Sequence, residues 1–102
     1  MHPEWRRGEY TISADPARLP VEAIHAYLTR SYWAEGIPLE IVRRSLQHSV
    51  NFCIFRGGEL AGFGRVITDR ATFGYLGDVF VLESHRGKGL SKWLMEWSCA
   101  QQ

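Results

Sequence analysis

The segment from Asp78 to Trp97 constrains this chain more than any other. It opens with an apolar run, Val79-Phe80-Val81-Leu82, and passes through a basic, glycine-bearing turn, Arg86-Gly87-Lys88-Gly89. It closes on a helix pattern in which Leu90, Trp93, Leu94 and Trp97 recur at i, i+3, i+4 and i+7. A near-continuous apolar strand has to be covered on both faces. A helix with one wide apolar stripe has to lie on a sheet or another helix.

The upstream sequence supplies that sheet. Tyr10-Thr11-Ile12-Ser13 is rich in β-formers and stops at Asp15-Pro16, a turn signal. Pro20 suits a first helical turn, and Val21, Ile24 and Leu28 follow at helical spacing until the pattern fades between Ser31 and Gly36. A second helix is expected from Pro38, with Leu39, Val42 and Leu46 on its apolar face. From Asn51 the period becomes strand-like. Phe52 to Phe55 and Leu60 to Thr68 flank Gly57-Gly58, a pair suited to a tight hairpin. Asp69 to Thr72 reads as a second turn before a strand from Phe73 to Leu82. The expected fold is α+β, an antiparallel sheet with flanking helices in the order β-α-α-β-β-β-α.

At 102 residues the chain is a single domain. Its 12 Lys+Arg balance 11 Asp+Glu with no basic arm or acidic tail, which argues against general nucleic-acid binding. No apolar run approaches the length of a membrane span, and no apolar segment follows the charged N-terminus, so a soluble cytoplasmic protein is expected. Cys53 and Cys99 lie in apolar patterns and read as buried thiols. The four histidines show no metal-ligand spacing, and no metal is expected.

Chemistry concentrates in the basic turn. The first turn of a helix presents backbone N–H groups without intrahelical partners, and the helix dipole adds positive potential there. Gly87 and Gly89 let those groups close around an anion, and Arg86 and Lys88 add charge. A phosphate or pyrophosphate suits this arrangement; a glycine-rich turn carrying surface charges is the other reading. The spacing is not that of a Walker A loop, and Lys92 stands where a dinucleotide fingerprint needs its third glycine.

Within its strand-turn-helix context the loop resembles the acetyl-CoA site of the GNAT superfamily of N-acetyltransferases. That family's Arg/Gln-x-x-Gly-x-Gly/Ala signature maps onto Arg86, Gly89 and Ser91, and the element order agrees over nearly the whole chain. Ser91 replaces the usual Gly or Ala, and Glu83 stands where many members carry Pro. The resemblance implies acetyl-CoA as co-substrate and a primary amine, on a small molecule or peptide, as acceptor. It implies that the main chain of Val79, Phe80 and Val81 pairs with the pantetheine arm. The backbone of Gly87, Lys88, Gly89, Leu90, Ser91 and Lys92, with Arg86, would hold the pyrophosphate.

For the base that relieves the amine of its proton, Asp78 and Glu83 are candidates; an Asp78 paired with an arginine is the other reading. His85 could meet phosphate or simply face solvent. The family commonly takes its acid from a Tyr beyond the fifth strand; Tyr75 and Tyr32 are the remaining candidates in this sequence. Tyr32, Trp33 and Glu35 could frame the acceptor by cation–π and carboxylate contacts. The chain ends directly after the helix where the family continues with a further strand, so a truncated or non-catalytic CoA-binding fragment is the alternative. An unpaired edge on the Phe73–Leu82 strand would then favour homo-oligomers.

Overall fold

Among the described residues, five antiparallel strands lie side by side in the order in which they occur along the chain. The structure, a computed structural model, describes residues 4–68, 72 and 74–100, with side chains as far as Met95. The strands are β1 (Glu4–Arg7), β2 (Tyr10–Ser13), β3 (Val50–Arg56), β4 (Glu59–Thr68) and β5 (Gly74–Val81). Helices α1 (Val21–Leu28) and α2 (Leu39–Gln47) fall between β2 and β3, and α3 (Leu90–Ala100) follows β5. The α+β class and the expected element order hold, with β1 added in front. The turn expected at 69–72 lies largely outside the described residues, as do the side chains of Trp97 and Cys99.

Side-chain alternation divides the core between the two faces of the sheet. Ile12, Phe52, Ile54 and Val66 point to the face where α3 lays down Leu90 and Leu94. Cys53, Phe55, Phe63 and Phe80 point to the other face, against Ile24, Leu28, Val42 and Leu46 of α1 and α2. Gly64 is the contact point for α3: a Cβ built there would stand 3.0 Å from Leu94 Cδ2. Pro20 and Pro38 are the cap residues of α1 and α2, one position ahead of the first turn in which the sequence places Pro20 and of the start it gives the second helix.

One irregularity matters for function. Phe63 faces Phe80 and Arg65 faces Gly77, so Gly64 of β4 opposes two residues of β5, Asp78 and Val79. This is a β-bulge. Leu76 and Val79 both pack towards the α3 side, so the alternation is reset between them. The extra residue is Asp78, with φ of +35°. Its side chain is turned to the α1/α2 face, where Arg65 and Trp33 bond it.

Candidate functional site

The site grows from β5 and the turn behind it. β5 is an edge strand among the described residues, paired with β4 on one side only. Leu82 N–H donates to Ala61 O at 2.8 Å, which orients the end of the strand. By the antiparallel alternation, the backbone groups of Phe80 turn towards β4, while those of Val79 and Val81 turn to the open edge. The side chains of Val79 and Val81 pack on the α3-side core, and the Phe80 ring packs on the α1 side. Of the three residues expected to pair with an extended arm, Val79 and Val81 thus turn their main chain outward, with the Val81 carbonyl taken by Arg86 Nε at 3.0 Å.

The turn Arg86–Gly89 keeps its backbone open to solvent. Gly87 and Gly89 have φ of +82° and +72°, conformations a side chain would strain, and a Cβ at either would meet no heavy atom within 4 Å. Trp93 N–H donates to Gly89 O at 3.1 Å, the first intrahelical bond of α3. Helix geometry therefore leaves the N–H groups of Leu90, Ser91 and Lys92 at the helix mouth. Arg86, Lys88, Ser91 and Lys92 are exposed, and only Leu90 is buried. Open backbone donors, flanking cations and a free strand edge fit a cofactor with an anionic pyrophosphate and a hydrogen-bonding arm.

Arg86 is tethered at both ends of its guanidinium: Nε donates to Val81 O at 3.0 Å and Nη2 to Tyr27 Oη at 3.2 Å. Tyr27 of α1 in turn stacks on Phe80, with centroids 3.9 Å apart and planes at 11°, and leans against Trp33. Tyr27 escaped the sequence reading. Its signal was its place on α1, three residues from Ile24 and one from Leu28, beside the buried stripe.

His85 is buried, which differs from the solvent-facing placement favoured by the sequence. The 3-10 turn Glu83–His85 folds it back over the sheet, where Nδ1 lies 3.0 Å from Tyr10 Oη and Nε2 lies 3.2 Å from Glu59 Oε1. Its contacts are therefore within the fold, and it anchors the start of the turn. Glu83 is exposed.

Midway along β5, Asp78 has both carboxylate oxygens engaged. Trp33 Nε1 donates to Oδ1 at 2.9 Å and Arg65 Nε donates to Oδ2 at 2.9 Å. Arg65 continues to Ser49, donating from Nη1 to Oγ at 3.0 Å. The α1–α2 connection is thus latched to the bulge. Tyr32 lies almost wholly in solvent and meets Trp33 edge-on at 5.2 Å; Glu35 is also exposed. Tyr75 is exposed on β5, its ring close beside Gly77. Among the described residues, no group of three or more His, Cys, Asp or Glu is placed to hold a metal ion. Among them too, no helix is long and apolar enough to cross a membrane.

The sequence profile described as the Acetyltransferase (GNAT) family matches residues 9–101. The chain belongs to this GNAT family. A Gibberella zeae protein named a "putative acetyltransferase" is 36% identical over 112 residues, an alignment covering 90% of this chain and 63% of that protein. The crystal structure of a Xanthomonas campestris pv. campestris protein, described as a "putative acetyltransferase" of the same family, superposes with a TM-score of 0.86 at 47% identity. That match covers 89% of this chain and 65% of the other. A Staphylococcus aureus structure shares the fold at TM-score 0.72 and 22% identity. The chain thus spans less than two thirds of the length of the first two GNAT relatives.

Proposed function

We propose that this GNAT chain carries the acetyl-CoA-binding part of an N-acetyltransferase whose acceptor is a primary amine of a small molecule or peptide. The observation that carries the reading is the continuity of an open strand edge at Val79 and Val81 with the positive-φ turn at Gly87 and Gly89 and the mouth of α3. Acetyl-CoA supplies a thioester already activated towards an amine. The N–H groups from Gly87 to Lys92 hold the pyrophosphate, Arg86 and Lys88 neutralise it, and the outward main chain of Val79 with the N–H of Val81 orients the arm.

Asp78 holds the acceptor's proton, directly or through water. Its Oδ1 is the oxygen through which it does so, because Trp33, the partner there, sits on the exposed α1–α2 connection, whereas Arg65 is largely buried. Tyr32, Trp33 and Glu35 form the acceptor side, with aromatic faces and a carboxylate suited to a cationic amine. A cytoplasmic location, with acetyl-CoA close at hand, belongs to the same reading.

Isothermal titration with CoA and acetyl-CoA, run beside release of free thiol with a panel of amines, tests this. Saturable binding that weakens in Arg86→Ala/Lys88→Ala, with less loss for a dephospho analogue lacking the pyrophosphate, supports the loop assignment. Equal loss for both ligands overturns it. Binding without turnover favours the second reading, a non-catalytic CoA-binding fragment. The open edge of β5 favours self-association in that case. A strictly monomeric species in equilibrium sedimentation at high concentration counts against it.

A further inference from the structure

The guanidinium of Arg86 is folded back onto the end of β5. Its Nε donates to Val81 O at 3.0 Å and its Nη2 to Tyr27 Oη at 3.2 Å. Val81 is the last residue of β5, and its carbonyl faces the side on which no described strand pairs. The chain's own cation therefore covers an acceptor on the open edge. The 3-10 turn Glu83–His85 brings Arg86 back beside the strand it has just left, with Arg86 N–H bonded to Glu83 O at 3.3 Å. Tyr27 holds the other side of the guanidinium. Its ring lies flat on Phe80 at 3.9 Å, so packing across the α1 face fixes where its hydroxyl stands. Both partners of the guanidinium are neutral oxygens, and Arg86 itself is exposed. An anionic phosphate oxygen offers a guanidinium a stronger bond than either.

We propose that Tyr27 is a positioning residue that parks Arg86 across the strand edge, and that the pantetheine arm of CoA displaces it. The inference rests on the CoA reading and adds an exchange to it. An amide N–H of the arm takes the Val81 carbonyl from Nε, and the freed guanidinium turns to the pyrophosphate. The hydrogen bonds balance, since the carbonyl trades one N–H for another and the cation trades a neutral oxygen for an anionic one. A ligand with the arm but no phosphate has to displace Arg86 while offering it no new partner. Its apparent affinity is lowered by the fraction of molecules in which the edge is covered. CoA offsets the same cost through its phosphate contact.

The test compares the parent chain, Arg86→Ala and Tyr27→Phe, with CoA followed by calorimetry and millimolar pantetheine by NMR at the Val79 and Val81 amides. Arg86→Ala should weaken CoA but tighten pantetheine by about threefold or more, the worth of one displaced hydrogen bond. Tyr27→Phe keeps the stack on Phe80 and loses only the hydroxyl, so both ligands should bind about twofold to threefold more tightly. In the parent, the Arg86 Nε–H signal should move as pantetheine is added. Unchanged or weaker pantetheine binding to Arg86→Ala, with CoA still binding the parent, overturns the exchange and leaves the CoA reading standing. An Nε–H signal unmoved at saturation does the same. Weaker binding of both ligands to Tyr27→Phe overturns the role of Tyr27, since a residue that only supported the fold would give that result. Absence of CoA binding to the parent overturns the CoA reading and the exchange with it.

Discussion

Arg65 and Asp78 face each other across β4 and β5 with Nε 2.9 Å from Oδ2, and the pair exists only because the bulge turns Asp78 to the α1/α2 face. Without the extra residue, position 78 would point with Leu76 towards α3, into the apolar cluster. The same carboxylate takes the Trp33 indole N–H, so one residue ties the bulge to the α1–α2 connection.

Replacing Asp78 by Ala should therefore destabilise the fold beyond the loss of one ion pair. The change leaves the Arg65 guanidinium, itself largely buried, without its counter-charge, and it places a Cβ residue at φ of +35° with no side-chain hydrogen bond in compensation. A cost of about 2–4 kcal/mol follows from those two causes. Asp78→Asn, which tolerates the backbone and can still accept from Trp33, should lose about half as much. Urea unfolding of the three proteins measures the difference, and equal stabilities would remove the latch.

Gly64→Ala probes the seat of α3. The new methyl would lie 3.0 Å from Leu94 Cδ2 and 3.4 Å from Leu94 Cγ, closer than side chains pack. Leu94 is fully buried and cannot yield without moving the helix that follows the Arg86–Gly89 turn. A loss of about 1–3 kcal/mol is expected, with a matching fall in CoA affinity. Leu94→Ala alone should cost about 2–5 kcal/mol. In the double variant the new methyl partly fills the space, so its loss should be smaller than the sum of the two single losses. Strict additivity in a denaturant cycle would contradict the contact.

Tyr10 and His85 make the same kind of link at the other end of the turn. Tyr10→Phe keeps the edge-on packing at 5.7 Å but leaves the buried His85 Nδ1 without its hydroxyl partner. About 1–2 kcal/mol of stability should go. CoA binding should weaken by about threefold to tenfold as the turn loosens, a change of about 0.7–1.4 kcal/mol. Calorimetric titration at a temperature where both proteins are fully folded separates the two effects; unaltered affinity would free the turn from Tyr10.

What was legible in the sequence follows from range. Helices α1, α2 and α3 announced themselves by local period and by Pro20 and Pro38, and the β3–β4 hairpin by Gly57-Gly58. Local composition hid β1, because Glu4-Trp5-Arg6-Arg7 is a charged edge strand with no buried residue among its four. The burial of His85 depends on Tyr10, 75 residues away, and the latch joins Trp33 to Asp78 over 45 residues. No periodicity encodes such meetings. The turn Arg86–Gly89 was readable because its chemistry lies in consecutive residues, whereas the Tyr27–Arg86 contact spans 59.

Cys53 carries the clearest pH signature of the fold. It is packed among Phe55, Phe63 and Val42 on the α1/α2 face, and burial pushes its thiol from 9.0 up to about 12, a rise only partly countered by the nearby Arg18 charge. In the unfolded chain the thiol ionises near its ordinary value. Between pH 9 and about 12 the unfolded state therefore sheds a proton that the folded state keeps, and stability must fall as pH rises through that window. Below pH 9 the group is protonated in both states and contributes no slope. Cys53→Val should flatten the alkaline decline of the urea midpoint relative to the parent protein, whatever its effect at neutral pH. Identical slopes for the two proteins would mean that the thiol ionises inside the fold. At neutral pH the same burial makes alkylation of Cys53 by iodoacetamide wait for unfolding, since the thiolate is the reactive form.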